Sequence, residues 1–122
     1  GHTNGCTSYH VNGKVFSGDT LFVRGTGRTD FQQGSSEKLF KSVTEKLFSL
    51  PPSTLIYPGH DYKGQSVSTI EEEKKYNPRI NSETTLEKFV IIMDQLKLPD
   101  PKKLHEAVTA NLVCGAKAEL GR

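Results

Sequence analysis

Residues 16–34 of this chain read FSGDTLFVRGTGRTDFQQG and join the end of a strand to a glycine-rich loop. Ser17-Gly18-Asp19 interrupts an apolar run, and apolar character resumes over Thr20–Val23. From Arg24 to Gly34 the composition shifts to glycine, threonine, arginine and glutamine. Glycines at this density predict a tightly folded loop, and such loops commonly present functional side chains.

A β-hairpin is predicted immediately before this stretch. Tyr9–Val11 and Lys14–Phe16 flank Asn12-Gly13, the dipeptide most typical of a two-residue hairpin turn. The hairpin therefore leads directly into the loop that begins at Ser17.

A helix and a further strand are predicted after the loop. Apolar residues recur at helical spacing from about Ser36 to Phe48, and Pro51-Pro52 ends the pattern. Leu55–Tyr57 then predicts a short buried strand stopped by Pro58-Gly59. His60 follows immediately, and we expect a side chain in this position, just beyond the end of a strand, to face a cleft.

Three more helices are predicted in the second half of the chain. Capping-box sequences at residues 68–71 and 84–87 predict helices ending near Tyr76 and Leu98, and a last helix is predicted from Lys102 to about Leu112. The opposite charges of residues 71–75 predict a solvated helix face. The order of strands and helices predicts an α/β layer arrangement.

Composition and charge exclude several functions. Sixteen basic and 14 acidic residues are interspersed and give a net charge of +2, without the basic stripe that nucleic-acid binding needs. No apolar run approaches the ~18 residues of a transmembrane helix. Cys6 and Cys114 lack the spacing of a zinc site or a disulfide framework. We therefore expect neither a nucleic-acid nor a membrane partner.

The apolar content is small for a self-sufficient domain of 122 residues. Only 34% of the residues are hydrophobic, the mean hydropathy is −0.53, and the sequence opens without an initiator Met. We expect residues 1–122 to be the C-terminal portion of one larger domain. Its N-terminal half, and any targeting segment, would lie outside this sequence.

Three side chains in turns are candidate metal ligands. His2 lies in Gly1–Gly5, Asp19 follows Gly18, and His60 follows Pro58-Gly59. Glycine and proline hold a side chain at a fixed angle at low steric cost, and two histidines with one carboxylate suit Fe(II), Zn(II) or Mn(II). The alternatives are surface or core histidines and an Asp19 that bonds its own backbone.

Arg28 is a candidate anion anchor within the loop. A guanidinium grips a carboxylate through two parallel hydrogen bonds. The alternative is an internal salt bridge with Asp30 or Asp61. The Gly-x-Gly at residues 25–27 is similar to a phosphate loop but lacks the following Lys-Ser/Thr.

Runs of residues along essentially the whole chain carry a family resemblance. The most specific is GRTDFQQG at residues 27–34, and others are residues 1–6, 16–26, 56–62, 68–73, 77–79 and 107–115. Together they resemble the ethylmalonic-encephalopathy-type persulfide dioxygenases of the metallo-β-lactamase superfamily. The resemblance implies an αββα sandwich with a metal at one edge of two packed sheets, of which this chain would form the C-terminal half.

The resemblance also implies a metal site. His2 and Asp19 would be two of three protein ligands of a mononuclear Fe(II), one per full-length chain. The third would be the first His of a His-x-His-x-Asp-His motif, which this sequence lacks and which is expected upstream. His60 matches the position that binds a second metal in dinuclear relatives and is expected here to support the ligands, with second-metal ligation as the alternative.

The implied reaction is the oxidation of glutathione persulfide by O₂ to sulfite and glutathione in sulfide catabolism. Arg28 and Tyr62 match glutathione-binding positions, and Arg79 is a further candidate. A mitochondrial matrix location follows for a eukaryotic protein and a cytoplasmic one otherwise, with a homodimer as an option. The alternatives are a glyoxalase II-like hydroxyacylglutathione hydrolase with a dinuclear site and an inactive fragment. This chain alone is expected to be inactive.

Overall fold

A computed structural model of the chain describes residues 1–115, which form a mixed α/β unit around one sheet. The sheet has the order β1-β2-β3-β4. β1 pairs antiparallel with β2, β2 pairs parallel with β3, and β3 pairs antiparallel with β4. The strands are β1 (Tyr9–Val11), β2 (Lys14–Gly18), β3 (Leu55–Pro58) and β4 (Ser68–Thr69).

The predicted hairpin is confirmed. Asn12 and Gly13 have φ values of 46° and 71°, the left-handed conformations that a type I′ turn requires of both central residues. β2 runs two residues beyond the predicted end at Phe16, because Phe16 and Gly18 pair with the parallel strand β3. Sequence alone gave no sign of that pairing.

The helix predicted after the loop forms in two parts. Helix α1 spans Ser36–Lys41 and is capped by the Ser35 hydroxyl, which accepts from the Lys38 amide. Ser42–Leu47 continues as a π-helix, which the sequence did not predict. Within it, the Thr44 hydroxyl donates to the Phe40 carbonyl at 2.8 Å, a local bond that bends helices.

The later helices form close to their predicted positions. They are α2 (Ile70–Tyr76), α3 (Leu86–Asp94) and α4 (Leu104–Leu112). Thr69 and Thr85 are the N-caps of α2 and α3. Ser68 therefore belongs to β4 and not to the helix start, and α3 ends four residues before the predicted Leu98. Among the helices of residues 1–115, none combines the length and the apolar character needed to cross a membrane.

The hydrophobic core lies between one face of the sheet and helices α1 and α3. Val15 and Ile56 project from β2 and β3 into this layer. Phe40 of α1 lies 5.7 Å from Phe89 of α3, between ring centroids. The fully buried apolar side chains are Val15, Leu21, Leu39, Val43, Ile56, Ile70, Ile80 and Phe89.

The opposite face of the sheet carries an aromatic row. Tyr9, Phe16 and Tyr57 occupy one register position across β1, β2 and β3, and the Phe16 and Tyr57 rings stack at 5.5 Å. Tyr9 and Phe16 are exposed, as is Val11 beside them. The sheet thus has one face buried under helices and one apolar face open to solvent.

Parallel pairing of β2 and β3 creates the edge where the candidate site lies. Gly18 is paired with Pro58, and the Gly59 amide donates to the Gly18 carbonyl at 2.8 Å. Since parallel strands end at the same sheet edge, the residues that follow them, Asp19 and His60, emerge side by side.

Candidate metal centre

The three predicted metal-binding side chains lie together at this edge. His2 Nε2 is 3.3 Å from Asp19 Oδ2, and His60 Nδ1 is 2.5 Å from Asp19 Oδ1. The His2 and Asp19 side chains are mostly buried, whereas that of His60 is 54% exposed. The carboxylate of Asp19 is therefore the centre of the cluster, with one histidine on each oxygen.

A backbone carbonyl orients His2. Its Nδ1 lies 2.6 Å from the Arg28 carbonyl oxygen, which can only accept, so Nδ1 carries the proton. This bond fixes the ring with Nε2 directed at Asp19. Histidine ligands of metals are commonly oriented in this way through the nitrogen that does not bind.

The contact between His2 and Asp19 shifts the pKa values of both side chains. The hydrogen bond that His2 donates to the Asp19 carboxylate raises the pKa of His2 above its ordinary value of 6.5, although burial opposes the shift. The hydrogen bond from His2 lowers the pKa of Asp19 below its ordinary 3.8, again against burial. Positive charge is thus stabilised between Nε2 and Oδ2.

The glycine-rich loop holds the two residues of this pair. We call Phe22–Arg28 the 22–28 loop. The Gly27 amide donates to the Asp19 carbonyl at 3.0 Å, and the next residue, Arg28, provides the carbonyl for His2. A Cβ at Gly27 would lie 2.1 Å from the Asp19 carbonyl oxygen, so only glycine allows this approach.

A cleft of about 720 Å³ opens beside the cluster. Phe22, His60 and Tyr62 form an aromatic wall, in which the His60 and Tyr62 rings stack at 5.7 Å and Phe22 meets each edge-on. Arg28 and Arg79 also line the cleft. Apolar walls with a few polar groups are typical of small-ligand sites.

Arg28 forms the internal salt bridge that was the alternative to an anion anchor. Its Nε and Nη2 donate to the two Asp30 carboxylate oxygens at 2.7 Å each, and Nη1 donates to the Pro99 carbonyl at 2.9 Å. Asp61 is not its partner, because Asp61 accepts from the Lys63 and Gln65 amides. An incoming anion would have to compete with Asp30.

Arg79 and Tyr62 occupy two further positions in the cleft. Arg79 Nη1 donates to the Thr26 carbonyl at 2.5 Å, and burial lowers the pKa of the guanidinium. Within residues 1–115 the Arg79 side chain has no acidic partner within salt-bridge distance. Tyr62 stands at the mouth and is 75% exposed.

Glu73 is a functional candidate that the sequence interpretation missed. It was assigned to a solvated helix face, but its side chain is 0% exposed. It accepts from the Arg24 amide at 2.7 Å, from the Arg24 guanidinium, from the Ser68 hydroxyl and from the Asn77 amide group. Its spacing of three residues from the buried Ile70 was the available signal.

The described residues do not complete a metal site. Among residues 1–115, His, Cys, Asp and Glu side chains nowhere form a group of three or more that is arranged to hold a metal ion. His60 belongs to the cluster, but its Nδ1 is directed at Asp19. Cys6 contacts the Thr20 hydroxyl at 3.6 Å, and Cys114 is exposed on the surface.

Known proteins share this fold and sequence. Residues 1–60 match the family model of the metallo-beta-lactamase superfamily. The chain is 52% identical over 117 residues to "Persulfide dioxygenase ETHE1, mitochondrial" of Bos taurus, covering 94% of this chain and 45% of that protein. It therefore spans about half the length of the curated relatives it matches.

Two solved structures agree with this assignment. The crystal structure of ETHE1 from Myxococcus xanthus is 52% identical, with a TM-score of 0.89 over 95% of this chain and 51% of that one. The structure of TTHA1623 in a di-iron-bound form is 35% identical, with a TM-score of 0.59 over 66% of this chain and 39% of that one. The predicted metallo-β-lactamase fold is confirmed.

Proposed function

The chain is homologous to the persulfide dioxygenases and has the metallo-β-lactamase fold, and on this basis we propose that it supplies part of the iron site of an enzyme that oxidises glutathione persulfide to sulfite. The observation that carries the proposal is the mostly buried pair of His2 and Asp19, oriented by the 22–28 loop at the sheet edge.

The chemistry of this pair fits Fe(II). One imidazole nitrogen and one carboxylate oxygen, 3.3 Å apart, are hard-to-borderline donors of the kind used by mononuclear iron sites. His2 Nδ1 is already occupied by the Arg28 carbonyl, which leaves Nε2 as the binding nitrogen. A third ligand from a His-x-His-x-Asp-His segment would complete a facial triad. His60 would support the site by its hydrogen bond to Asp19.

The cleft residues would bind the glutathione part of the substrate. Arg79 offers a positive charge without an acidic partner among residues 1–115, so a substrate carboxylate would not have to displace a protein carboxylate from it. Arg28 would contribute by exchanging Asp30 for a substrate carboxylate. Tyr62 extends the aromatic wall at the mouth and would pack along the peptide.

The reaction converts glutathione persulfide, O₂ and water into glutathione, sulfite and two protons, so that the terminal sulfur leaves with three oxygens. Bound Fe(II) would supply open coordination positions for O₂ and the terminal sulfur. The protein would hold the peptide away from the metal so that this sulfur points toward it, which converts a slow encounter into an ordered one. Phe22 and the His60 ring would exclude bulk water from that side of the cleft.

The aromatic row supports a larger two-sheet domain. Tyr9, Phe16 and Tyr57 present an open apolar face, and the Myxococcus xanthus chain with the same fold is about twice as long. We propose that residues 1–122 form one half of the sandwich and that the second sheet packs on this face, carrying the third ligand. The bovine relative is named mitochondrial, and we propose the mitochondrial matrix if this protein is eukaryotic.

The proposal is tested with the 122-residue chain and a longer protein that includes the third ligand. The longer protein is expected to bind about one iron per chain and to consume O₂ with glutathione persulfide, and His2→Ala or Asp19→Ala should abolish both. The chain alone should bind Fe(II) weakly and consume no O₂. Robust turnover by the chain alone, or full activity of Asp19→Ala, would contradict the proposal.

One observation favours a second candidate, a dinuclear thioester hydrolase. His60 Nδ1 contacts the same carboxylate that His2 contacts, as a second metal ligand near a bridging Asp would. The TTHA1623 structure, in a di-iron-bound form, shares the fold. Two tightly bound metals per chain together with hydrolysis of an acylglutathione would support this candidate against the dioxygenase.

A further inference from the structure

Helix α2 and the turn that follows it grip three consecutive residues of the 22–28 loop. Glu73 accepts from the amide and guanidinium of Arg24, Asn77 Nδ2 donates to the Gly25 carbonyl at 3.1 Å, and Arg79 Nη1 donates to the Thr26 carbonyl at 2.5 Å. We call Glu73, Asn77 and Arg79 the clamp. Each of its members bonds a different loop residue.

Two of the three clamp residues are fully buried, and hydrogen bonds connect all three. Glu73 and Asn77 are both 0% exposed, and Asn77 Nδ2 also donates to Glu73 Oε1 at 3.1 Å. Asn77 Oδ1 in turn accepts from the Arg79 amide at 3.0 Å. Because every member is satisfied by the loop or by another member, loosening one bond exposes buried polar groups to an apolar environment.

The loop residues bonded by the clamp include one in a strained backbone conformation. Arg24 has a φ of 58°, in the left-handed region. This conformation is unfavourable in free energy for any residue that has a side chain. The Phe22 amide donates to the Gly25 carbonyl at 2.9 Å, which makes a tight turn around Arg24. The clamp stabilises this strained turn through hydrogen bonds from α2 and from the turn that follows it.

The strained turn leads directly to the candidate metal ligands. One residue beyond the last gripped position, the Gly27 amide bonds the Asp19 carbonyl, and the next carbonyl, that of Arg28, orients His2. Because hydrogen bonds and close packing fix both ends of this segment, a displacement of residues 24–26 would also displace Gly27 and Arg28.

We propose that Glu73, Asn77 and Arg79 are positioning residues for the metal site, acting on His2 and Asp19 through the 22–28 loop. The inference rests on the proposed metal-binding role of His2 and Asp19. It assigns to α2, which contributes no metal ligand, the task of holding the two ligands in binding geometry. Supporting groups around ligands typically change metal affinity 10–100-fold when they are lost.

Two same-size variants test the clamp in the longer protein that includes the third ligand. Glu73→Gln removes the charge that holds the Arg24 guanidinium. Asn77→Asp keeps the acceptor for the Arg79 amide but removes the donor to the Gly25 carbonyl. Glu72→Gln is the matched control, since Glu72 contacts the same Arg24 side chain at 3.2 Å but is 53% exposed and touches no loop backbone. Phe89→Leu, in the core on α3, controls for loss of stability alone.

Two measurements are made on each variant. Co(II) titration followed by absorption reports both affinity and ligand geometry, and we expect affinity to fall about 10–100-fold in the clamp variants with an altered spectrum. Amide hydrogen exchange in the metal-free chain reports the Gly27–Asp19 bond, and we expect Gly27 to exchange about tenfold faster than global stability explains. Glu72→Gln and Phe89→Leu should leave both properties near wild type.

The outcomes separate the two proposals. Clamp variants with wild-type Co(II) affinity and wild-type Gly27 exchange would overturn the inference, and so would an equal loss of affinity in Phe89→Leu at equal stability. If the wild-type longer protein binds no Co(II), the proposed metal ligands are contradicted. In that case Gly27 exchange still decides whether the clamp holds the loop on Asp19.

Discussion

Gly27→Ala should damage the metal site through a single methyl group. The added Cβ would lie 2.1 Å from the Asp19 carbonyl oxygen and 3.0 Å from His2 Nδ1. Contacts below 3.0 Å essentially never occur for real Cβ atoms, so the loop and Asp19 must separate by about 1 Å, and close-packed interiors resist such a shift. The Gly27–Asp19 hydrogen bond, which is 3.0 Å long, would be lost in the process.

The magnitude follows from this overlap. Forced repacking of a buried site costs about 1–3 kcal/mol, which lowers a urea midpoint by on the order of 1 M. Displacing a metal ligand by about 1 Å should weaken Co(II) binding by at least about tenfold. Urea unfolding and Co(II) titration of the same preparation measure the two effects.

Gly25→Ala provides a control within the same loop. A Cβ at Gly25 would meet Phe22 at 3.8 Å, an ordinary van der Waals contact. Its effect on stability should stay within about 0.5 kcal/mol, and metal affinity should be unchanged. Equal effects of the two alanines would refute the reasoning that close approach at Gly27, and not loop flexibility in general, fixes Asp19.

Further predictions concern burial, charge competition and pH. Glu73→Ala should destabilise the fold by about 3–5 kcal/mol, because it leaves the Arg24 guanidinium and the Asn77 amide group without their buried partner, whereas Glu72→Ala should cost at most about 1 kcal/mol in the same urea experiment. In the longer protein, Asp30→Asn should lower the KM for glutathione persulfide by about twofold to fivefold with kcat retained. The reason is that the half-exposed Asp30 carboxylate would no longer compete with the substrate for Arg28. An unchanged KM would argue against Arg28 as a substrate anchor. In the metal-free chain, the pKa of His2 is raised above 6.5 and that of Asp19 lowered below 3.8, each by their mutual hydrogen bond. The stability that this pair contributes is therefore fully present between pH 3.8 and 6.5. It is lost as pH rises through the raised pKa of His2 or falls through the lowered pKa of Asp19. The urea midpoints of wild type and His2→Gln should differ most inside this window, and a constant difference from pH 4 to pH 9 would disprove the coupling.

The elements that the sequence determined are those held by local interactions. Asn12-Gly13 predicted the hairpin turn because few other dipeptides adopt two left-handed conformations in succession. The capping box at residues 84–87 predicted the start of α3 to within one residue, because a threonine hydroxyl there satisfies the amide three residues further on; the observed cap is Thr85. The turn residues around His2, Asp19 and His60 likewise marked them as candidates, since glycine and proline fix side-chain direction within a few residues.

Only the tertiary structure decided which candidates meet and what each one contacts. Asp19 and His60 lie together because β2 and β3 pair in parallel, a contact across 41 residues that no local pattern encodes. The same kind of distant contact buries Glu73 against Arg24 and pairs Asn77 with Gly25, more than 45 residues apart in each case. The local sequence around a charged residue on a short helix does not tell whether that residue faces water or another segment of the chain. The free energy that decides between the two environments comes from the partner group across the fold. The hairpin, the approximate helix starts and the candidate ligands were therefore determined by the sequence itself. The shared carboxylate and the clamp on the 22–28 loop were determined by how the strands and helices pack.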